Sequence, residues 1–304
     1  MNFFDLILVQ PIFNVLVVIY GLVPGQDFGV ALIIFTIIVR LLMWPLVKKQ
    51  LHQTKVMRAI APEVSKIKAR AKGNRQLEAQ MTMELYKERG VNPFSSIGTL
   101  LLQLPIFIAL FAVVNLITTD HNNIAKYTYD VFEGIPGIQQ AIATQLNDTL
   151  FGLIDLTQHA FENNTIHWAL VIMAIVAAIL QYFQSKMLLP QPKEKRKLRD
   201  MLKEQAAGKQ VDQAEMSAQM TSKMIWLFPL LTFWVSTYLS GALVLYLLTT
   251  NAVAIVQQYL VLHKDEEELH KMSETTKTRV QKAVDAKVVE KPKKGSGSSK
   301  KKRR

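Results

Sequence analysis

The sequence predicts an all-α membrane protein with five transmembrane helices, and three observations carry that prediction. Half of the 304 residues are hydrophobic, although the formal net charge is +12. The apolar and the basic residues therefore lie in separate segments, and the chain has no cysteine for disulfides, thiolate metal sites or a lipid anchor. Several apolar runs are long enough to cross a bilayer, and the predicted spans are residues 28–48, 94–117, 166–189, 224–239 and 242–262.

The N-terminal segment, residues 1–27, contains an apolar stretch at residues 3–23. Asp5, Gln10 and Pro11 interrupt this stretch, and no basic anchor supports an N-terminus inside the cell. We predict a helix that lies in the outer membrane interface, with a sixth span as the alternative. The segment lacks the basic opening of a secretory signal, so a bacterial plasma membrane is the expected location.

The last two predicted spans come from one apolar run about twice as long as a bilayer requires. Ser240 and Gly241 lie near its middle. We predict two short helices joined there by a tight turn.

Lys and Arg are distributed unevenly between the spans, which predicts the orientation. Residues 48–93 contain eleven, residues 190–223 contain eight and the tail at 263–304 contains fourteen. The loop at residues 118–165 has only Lys126 against six acidic residues. Because basic loops stay in the cytoplasm, this loop is expected outside, with the N-terminus outside and the C-terminus inside.

The first cytoplasmic segment, residues 49–93, predicts a helical hairpin. Gly73 and Asn74 separate two apolar stripes at helical spacing, and Gly90 followed by Pro93 is typical of a helix end. A solvated helix pair and a docking arm for a partner are equally compatible with this pattern. The second cytoplasmic segment, residues 190–223, is a charged loop.

The basic tail ends in a block of like charges that cannot fold alone. Such a block binds polyanions by releasing counterions, and both anionic inner-leaflet lipids and RNA phosphates fit it. The candidate polyanion-binding residues are Lys293, Lys294, Lys300, Lys301, Lys302, Arg303 and Arg304.

No catalytic arrangement is recognisable in the sequence. No pair of its six histidines has metal-ligand spacing on a predicted helix, and there is no phosphate-binding Gly-rich loop or nucleophile elbow. We therefore expect neither an enzyme nor a cofactor or metal site.

Arg40 is the unusual residue of the predicted spans. Its guanidinium stays charged at any accessible pH, and a charge at that depth costs about 2.5–3.5 kcal/mol on insertion scales. No predicted span contains an acidic residue, so Arg40 needs water or a visiting anion, unless its side chain reaches the inner headgroups. Polar residues of other spans are candidates to line the same cavity or to bond between helices: Gln103, Gln181, Gln184, Thr249 and Asn251.

Four stretches of the chain resemble the YidC-type membrane protein insertases. These are "IIFTIIVRLLMWPLVKKQ", "ELYKERGVNPFSSIGTLLLQLPIFIALF", "FQSKM" and "LVLYLLTTNAVAIVQQ", which occur in the family's order between residue 28 and about residue 262. Two details depart from the family pattern: "LSGA" replaces its usual turn between the last two spans, and Leu247 follows Tyr246 where many members have a second aromatic residue.

The resemblance implies five helices around a hydrophilic groove that opens to the cytoplasm and to lipid. Arg40 would keep this groove positive and attract acidic residues in short segments of nascent membrane proteins, with Gln103 and either Gln181 or Gln184 in its lining. The expected partners are nascent membrane proteins, the Sec translocon, and the ribosome through the basic tail.

Two other functions are compatible with the residues alone. An intramembrane Arg with nearby amides would also suit a small-anion channel or transporter, although a transporter commonly shows internal repeats that are absent here. A scaffold that assembles other membrane proteins is the second alternative, with Arg40 in a structural role.

Overall fold

The computed structural model describes residues 2–71, 74–90, 95–119, 122–143, 146–162, 164–188 and 213–261. Most of the predicted loop at 190–223 and the whole predicted tail at 263–304 lie outside these residues. The chain divides into two compact units, residues 1–258 and 259–304. In the second unit the structure describes only residues 259–261, the end of the last helix.

Helices make up most of the described chain. We label them α1 Gln10–Leu22, α2 Phe28–Leu42, α3 Trp44–Ala71, α4 Arg75–Glu88, α5 Ser95–Thr119, α6 Asn122–Tyr127, α7 Pro136–Ala143, α8 Trp168–Leu188, α9 Gln213–Ser236 and α10 Gly241–Val261. A π-helical turn, Asp5–Val9, leads into α1, and a 3₁₀ turn, Asp130–Phe132, precedes α7.

The N-terminal helix packs into the core of the first unit. Phe13, Leu16 and Tyr20 of α1 are buried, and the helix contacts α2, α5 and α7. Together with its π-helical turn it is 18 residues long, with a mean hydropathy of 1.9, which suffices to cross a membrane. Its length and composition therefore fit both the interfacial helix and the sixth span.

The first predicted span, residues 28–48, is not one straight helix. Helix α2 ends at Leu42, and α3 begins at Trp44 after a bend of 60°. Pro45 explains the break, because proline has no N–H for the helical ladder and its ring clashes with the carbonyl four residues earlier. The last five residues of the predicted span, 44–48, therefore belong to the start of the hairpin helix.

The predicted hairpin is formed by α3 and α4, which contact each other. Asn74 caps α4, since its side-chain oxygen accepts hydrogen bonds from the N–H groups of Gln76 and Leu77 at 3.1 and 3.2 Å. At the other end of the hairpin, Arg89 makes a two-oxygen ion pair with Glu63 at 2.9 Å.

The loop predicted outside is well structured where the structure describes it. Besides α6 and α7 it contains two short antiparallel strand pairs, β1 Thr149–Leu150 with β2 Ile154–Asp155 and β3 Phe161–Glu162 with β4 Thr165–Ile166. The sequence indicated no strands here, because two-residue strands are too short for an alternating pattern.

The last three helices lie close to their predicted positions. Helix α9 packs along α8, and Tyr182 and Trp226 meet with ring centroids 4.6 Å apart. A turn after Ser236 separates α9 from α10, which begins at Gly241. Helix α9 begins at Gln213, before its predicted start at residue 224, because the amphipathic sequence preceding the apolar run continues the helix.

Several helices have the length and composition of membrane spans. In the described part of the chain, Asp5–Leu22, Trp168–Met187 and Gly241–Val261 each suffice to cross, and the bent pair of α2 with Trp44–Met57 would make a fourth. Shorter apolar helices, Gln103–Ile117 and Lys223–Ser236, cover the remaining two predicted spans. The class of all-α membrane protein is confirmed, whereas the count of five spans stays a prediction.

Candidate functional site

Arg40 lies on the buried face of α2, where only 7% of its surface is exposed. Phe35 and Thr36 one turn earlier are also buried, and the Thr36 hydroxyl donates to the Leu32 carbonyl at 2.7 Å. Within the described residues the Arg40 guanidinium has neither a hydrogen bond nor an ion pair. A fixed positive charge is thus enclosed by the protein, and no carboxylate of the described residues pairs with it.

Tyr246 of α10 connects Arg40 to the second predicted span. Its hydroxyl interacts electrostatically with the Arg40 guanidinium and accepts a hydrogen bond from the Gln103 amide of α5. The ring of Phe107, one turn further along α5, lies 6.3 Å from the Tyr246 ring. The structure therefore brings Arg40 and Gln103 together through a residue that was not among the predicted site residues.

Gln257 contacts the backbone of the same site. Its side-chain amide donates a 2.9 Å hydrogen bond to the Arg40 carbonyl, and 1% of the residue is exposed. The repeated Gln at positions 257 and 258 was visible in the sequence, although a pair of glutamines alone is weak evidence of a site. Residues from α2, α5 and α10 thus meet around Arg40.

The other predicted site residues lie on α8 and α10. Asn251 is buried and donates to the Ala177 carbonyl of α8 at 3.3 Å, so it links the two helices. Thr249 is buried, while Gln181 and Gln184 are partly exposed. The side-chain oxygen of Gln184 is buried without a hydrogen-bond partner in the described residues. None of these four makes a described side-chain contact with Arg40. The polyanion-binding residues proposed for the tail lie outside the described residues.

One end of the helices is closed by residues 146–162, which we call the cap. Cap carbonyls accept the first N–H groups of two helices: Asn147 from Phe28 at 3.1 Å, Gln158 from Gly241 at 2.8 Å and Leu156 from Ala242 at 2.9 Å. These N–H groups have no partner inside their own helices. The cap therefore completes the starts of α2 and α10.

Asp27 strengthens the connection between the cap and α2. Its carboxylate accepts the Val30 N–H at 2.8 Å as the N-cap of α2 and the Phe151 N–H of the cap at 2.5 Å. A carboxylate at this position also interacts favourably with the helix dipole. Arg40 lies toward the opposite end of α2, three residues from the bend.

Two surface cavities occur away from Arg40. One of about 420 Å³ lies between β3 and the end of α9, and one of about 400 Å³ lies between the π-helical turn and α5. Neither is lined by a residue of the Arg40 site, so the hydrophilic groove stays a prediction. In the described residues no three His, Asp or Glu side chains are grouped to hold a metal ion.

Comparison with known proteins identifies the family. The model of the family described as 60Kd inner membrane protein matches residues 18–268. The chain belongs to this family. Its members include the membrane protein insertase YidC of Caulobacter sp. (strain K31), which is 28% identical over 266 residues, or 85% of this chain and 36% of that protein.

Two further relatives in the family carry the same name. YidC of Clostridium tetani is 28% identical over 247 residues, which cover 81% of this chain and 86% of that protein. YidC of Tolumonas auensis is 44% identical over 102 residues, or 34% of this chain and 18% of that protein. The chain thus spans about a third of the Caulobacter relative's length and most of the Clostridium one. The family resemblance indicated by the motifs is confirmed.

Proposed function

We propose that this protein is a membrane protein insertase that receives short acidic segments of nascent membrane proteins at Arg40. The names of its relatives support the activity, and the enclosed charge of Arg40 supports the mechanism. A buried cation with no carboxylate partner in the described residues attracts an anion more strongly than a surface cation, because the local dielectric is lower.

The attraction would lower the barrier to moving a polar segment across the membrane. Peptide groups that enter hydrocarbon unpaired cost several kcal/mol each. A hydrophilic groove around Arg40 shortens the length of hydrocarbon that the polar segment must cross. The polar side chains proposed to line this groove are Gln103, Gln181, Gln184, Thr249 and Asn251. A segment without acidic residues gains little from Arg40, so the benefit depends on the substrate.

The cap supports a direction for this process. It closes the helix ends nearest the acidic loop, which the charge distribution assigns to the outside. The hairpin, which carries most of the first basic segment, continues from the opposite end of α2. Substrate would therefore enter from the cytoplasm, in a bacterial plasma membrane with the N-terminus of the chain outside and the C-terminus inside.

Further partners follow from the same proposal. Nascent membrane proteins are the substrates, and the Sec translocon and the ribosome are the machines that deliver such chains. The basic tail would bind ribosomal RNA phosphates or anionic inner-leaflet lipids by releasing counterions. The function needs no cofactor, because electrostatic attraction and hydrophobic partitioning supply the driving force.

Reconstitution in liposomes tests the central proposal. Purified wild type, Arg40→Ala and Arg40→Lys are compared for translocation of a short acidic N-terminal tail and of its neutralised variant. Lys66→Ala, which removes an exposed cation of α3, is the matched control for net charge. We expect Arg40→Ala to lose translocation of the acidic tail about tenfold or more while it spares the neutral tail, and Arg40→Lys to retain part of it.

Other outcomes separate the alternatives. Equal translocation of both tails by all four proteins would make Arg40 structural and favour a hydrophobic path alone. Failure of the wild type on both tails would contradict the insertase, and a chloride or phosphate flux in the same liposomes would then favour the anion channel or transporter. If the liposomes show neither translocation nor anion flux, the assembly scaffold is the function that is favoured.

A further inference from the structure

The helical hydrogen bonds of α2 end at Met43, the residue just before α3 begins. The Met43 N–H donates to the Val39 carbonyl at 3.0 Å. The next bond of a continuous helix would join the Trp44 N–H to the Arg40 carbonyl, but α2 ends at Leu42 and Met43 forms a turn, so this bond is missing from the described residues. The Arg40 carbonyl has therefore lost its helical donor.

Gln257 replaces this donor from another helix. Its side-chain N–H group lies 2.9 Å from the Arg40 carbonyl, although the two residues are 217 positions apart in the sequence. A buried carbonyl without a partner costs about 1–3 kcal/mol, so the amide makes the bent conformation tolerable. The bend and the bond are parts of one arrangement.

The side-chain oxygen of Gln257 indicates that packing alone does not account for a glutamine at this position. Its side-chain oxygen is buried and has no hydrogen-bond partner in the described residues. An unpartnered buried oxygen is destabilising, and a methionine of similar shape would fill the same space without it. The contribution that offsets this cost is the bond to Arg40.

We propose that Gln257 is a positioning residue that fixes the bend between α2 and α3. By holding the Arg40 carbonyl it sets both the depth of the Arg40 side chain and the direction in which the hairpin leaves the bundle. The consequence for substrate rests on the proposed function, whereas the consequence for the bend does not.

Distance measurement between spin labels tests the effect on the bend without any substrate. The chain has no cysteine, so labels go directly on Lys66→Cys in α3 and Leu153→Cys in the cap, both at exposed positions. The distribution of distances between the two labels is measured in liposomes by pulsed electron paramagnetic resonance. It is compared between an otherwise wild-type chain and the same chain with Gln257→Met.

Gln258→Met is the matched control, because Gln258 is also buried and its side-chain oxygen also lacks a partner in the described residues. We expect Gln257→Met to increase about fivefold the fraction of molecules whose label-to-label distance differs from the main wild-type distance. This is the effect of losing one buried hydrogen bond. Gln258→Met should leave the distribution unchanged. Equal distributions for wild type and Gln257→Met would overturn the proposal.

Pro45→Ala supplies a second test that does not depend on the stability of Gln257→Met. Alanine returns an N–H to position 45 and removes the ring that breaks the ladder, so the bend should straighten and the Arg40 carbonyl should regain Trp44 as its donor. In this background Gln257→Met should change the distances less than about twofold. The full effect of Gln257→Met in the straightened chain would contradict a role in the bend.

Translocation assays of the same variants keep the two proposals distinct. Gln257→Met should reduce translocation of the acidic tail about fivefold relative to Gln258→Met, with a smaller effect on the neutral tail. If the wild type translocates neither tail, the insertase is wrong, while the distances still decide whether Gln257 fixes the bend. If the distances shift but acidic and neutral tails are equally affected, the link from the bend to Arg40 is wrong.

Discussion

The two ends of helix α2 are held in different ways. At its start, the capped end, the Asn147 carbonyl and the Asp27 carboxylate accept N–H groups of the first turn of α2, and two other cap carbonyls do the same for α10. At its finish, the bend end, the Arg40 carbonyl depends on one side chain from α10. The hairpin beyond the bend has an exposed ion pair between Arg89 and Glu63, beside a small buried cluster that includes Ile60 and Leu85.

This difference teaches where the molecule is able to move. Regions with many buried contacts open only near the cost of global unfolding, whereas regions held by few contacts open locally at much lower cost. A closed, firmly packed end and an adjustable end are the properties that a pathway open to one side of a membrane requires. Three substitutions test the comparison, from the largest expected effect to the smallest.

Gly137→Ala should destabilise the protein most, because α7 packs on the end of α1 that leads into the capped end, and this contact has no room for another atom. A Cβ at position 137 would lie 2.6 Å from the Cα and the carbonyl oxygen of Gly21, which are backbone atoms of α1. Helix α7 would have to move away from α1, and overpacking of this kind costs about 3 kcal/mol. The measurement is the free energy of unfolding by SDS titration in mixed micelles.

Gly134→Ala is the matched control for that experiment. A Cβ at position 134 would meet no atom within 4 Å, so the substitution should change the free energy by less than about 0.5 kcal/mol. Equal effects of the two substitutions would show that α7 is loosely seated, and the comparison of the two ends would fail.

Asn14→Leu should cost about 2 kcal/mol, because it leaves buried backbone groups unpaired. Asn14 is 2% exposed; its amide donates to the Tyr127 carbonyl at 2.8 Å, and its oxygen accepts the Tyr129 N–H at 2.7 Å. Gln10→Leu is the control, since Gln10 makes only a 3.4 Å contact with the same Tyr127 carbonyl. The same titration measures both, and an equal or larger loss for Gln10→Leu would refute the role of Asn14.

Arg89→Met should have the smallest effect, below about 1 kcal/mol, because both partners of its ion pair are largely exposed, with 51% and 42% of their side-chain surface accessible. The effect should vanish at about 1 M salt, where screening removes interactions between surface charges. Lys87→Met on the same helix is the control for lost charge. A loss above 2 kcal/mol that persists in high salt would mean that the bend end is as firmly held as the capped end.

The sequence predicted the class of the protein well, because class depends on local patterns. Apolar runs, the uneven placement of Lys and Arg, and the family motifs need no knowledge of contacts. The positions of α5, α8 and α10 follow from the same runs. Arg40 stood out for the same reason, since a charge inside an apolar run is visible at once.

The bend was missed although Pro45 is plain in the sequence. Proline is tolerated in membrane helices when neighbouring groups satisfy the freed carbonyls, so its presence does not decide between a straight span and a break. The deciding group, Gln257, is 217 positions away. The short strands of the outer loop were missed for a different reason, because two residues are too few to show an alternating pattern.

Tyr246 is a site residue that the sequence did not predict, for a third reason. The sequence drew attention to the position only through the missing aromatic neighbour, Leu247, and the hydroxyl group looked like part of an apolar run. Its importance comes from packing between helices, which brings the Gln103 amide to the Tyr246 hydroxyl and places Tyr246 where it interacts electrostatically with Arg40. A role of that kind is a property of packing and has no local signature.

Helix α3 continues without a break across the predicted boundary at residue 48, between the first span and the hairpin. A change of angle at the bend therefore moves the whole helix. Helix α3 has 28 residues, so it acts as a lever of about 40 Å at 1.5 Å per residue. A change of about 10° at its base would carry the far end of the hairpin by about 7 Å over that length. A force applied to the hairpin by a bound partner would reach the Arg40 backbone with the same mechanical advantage.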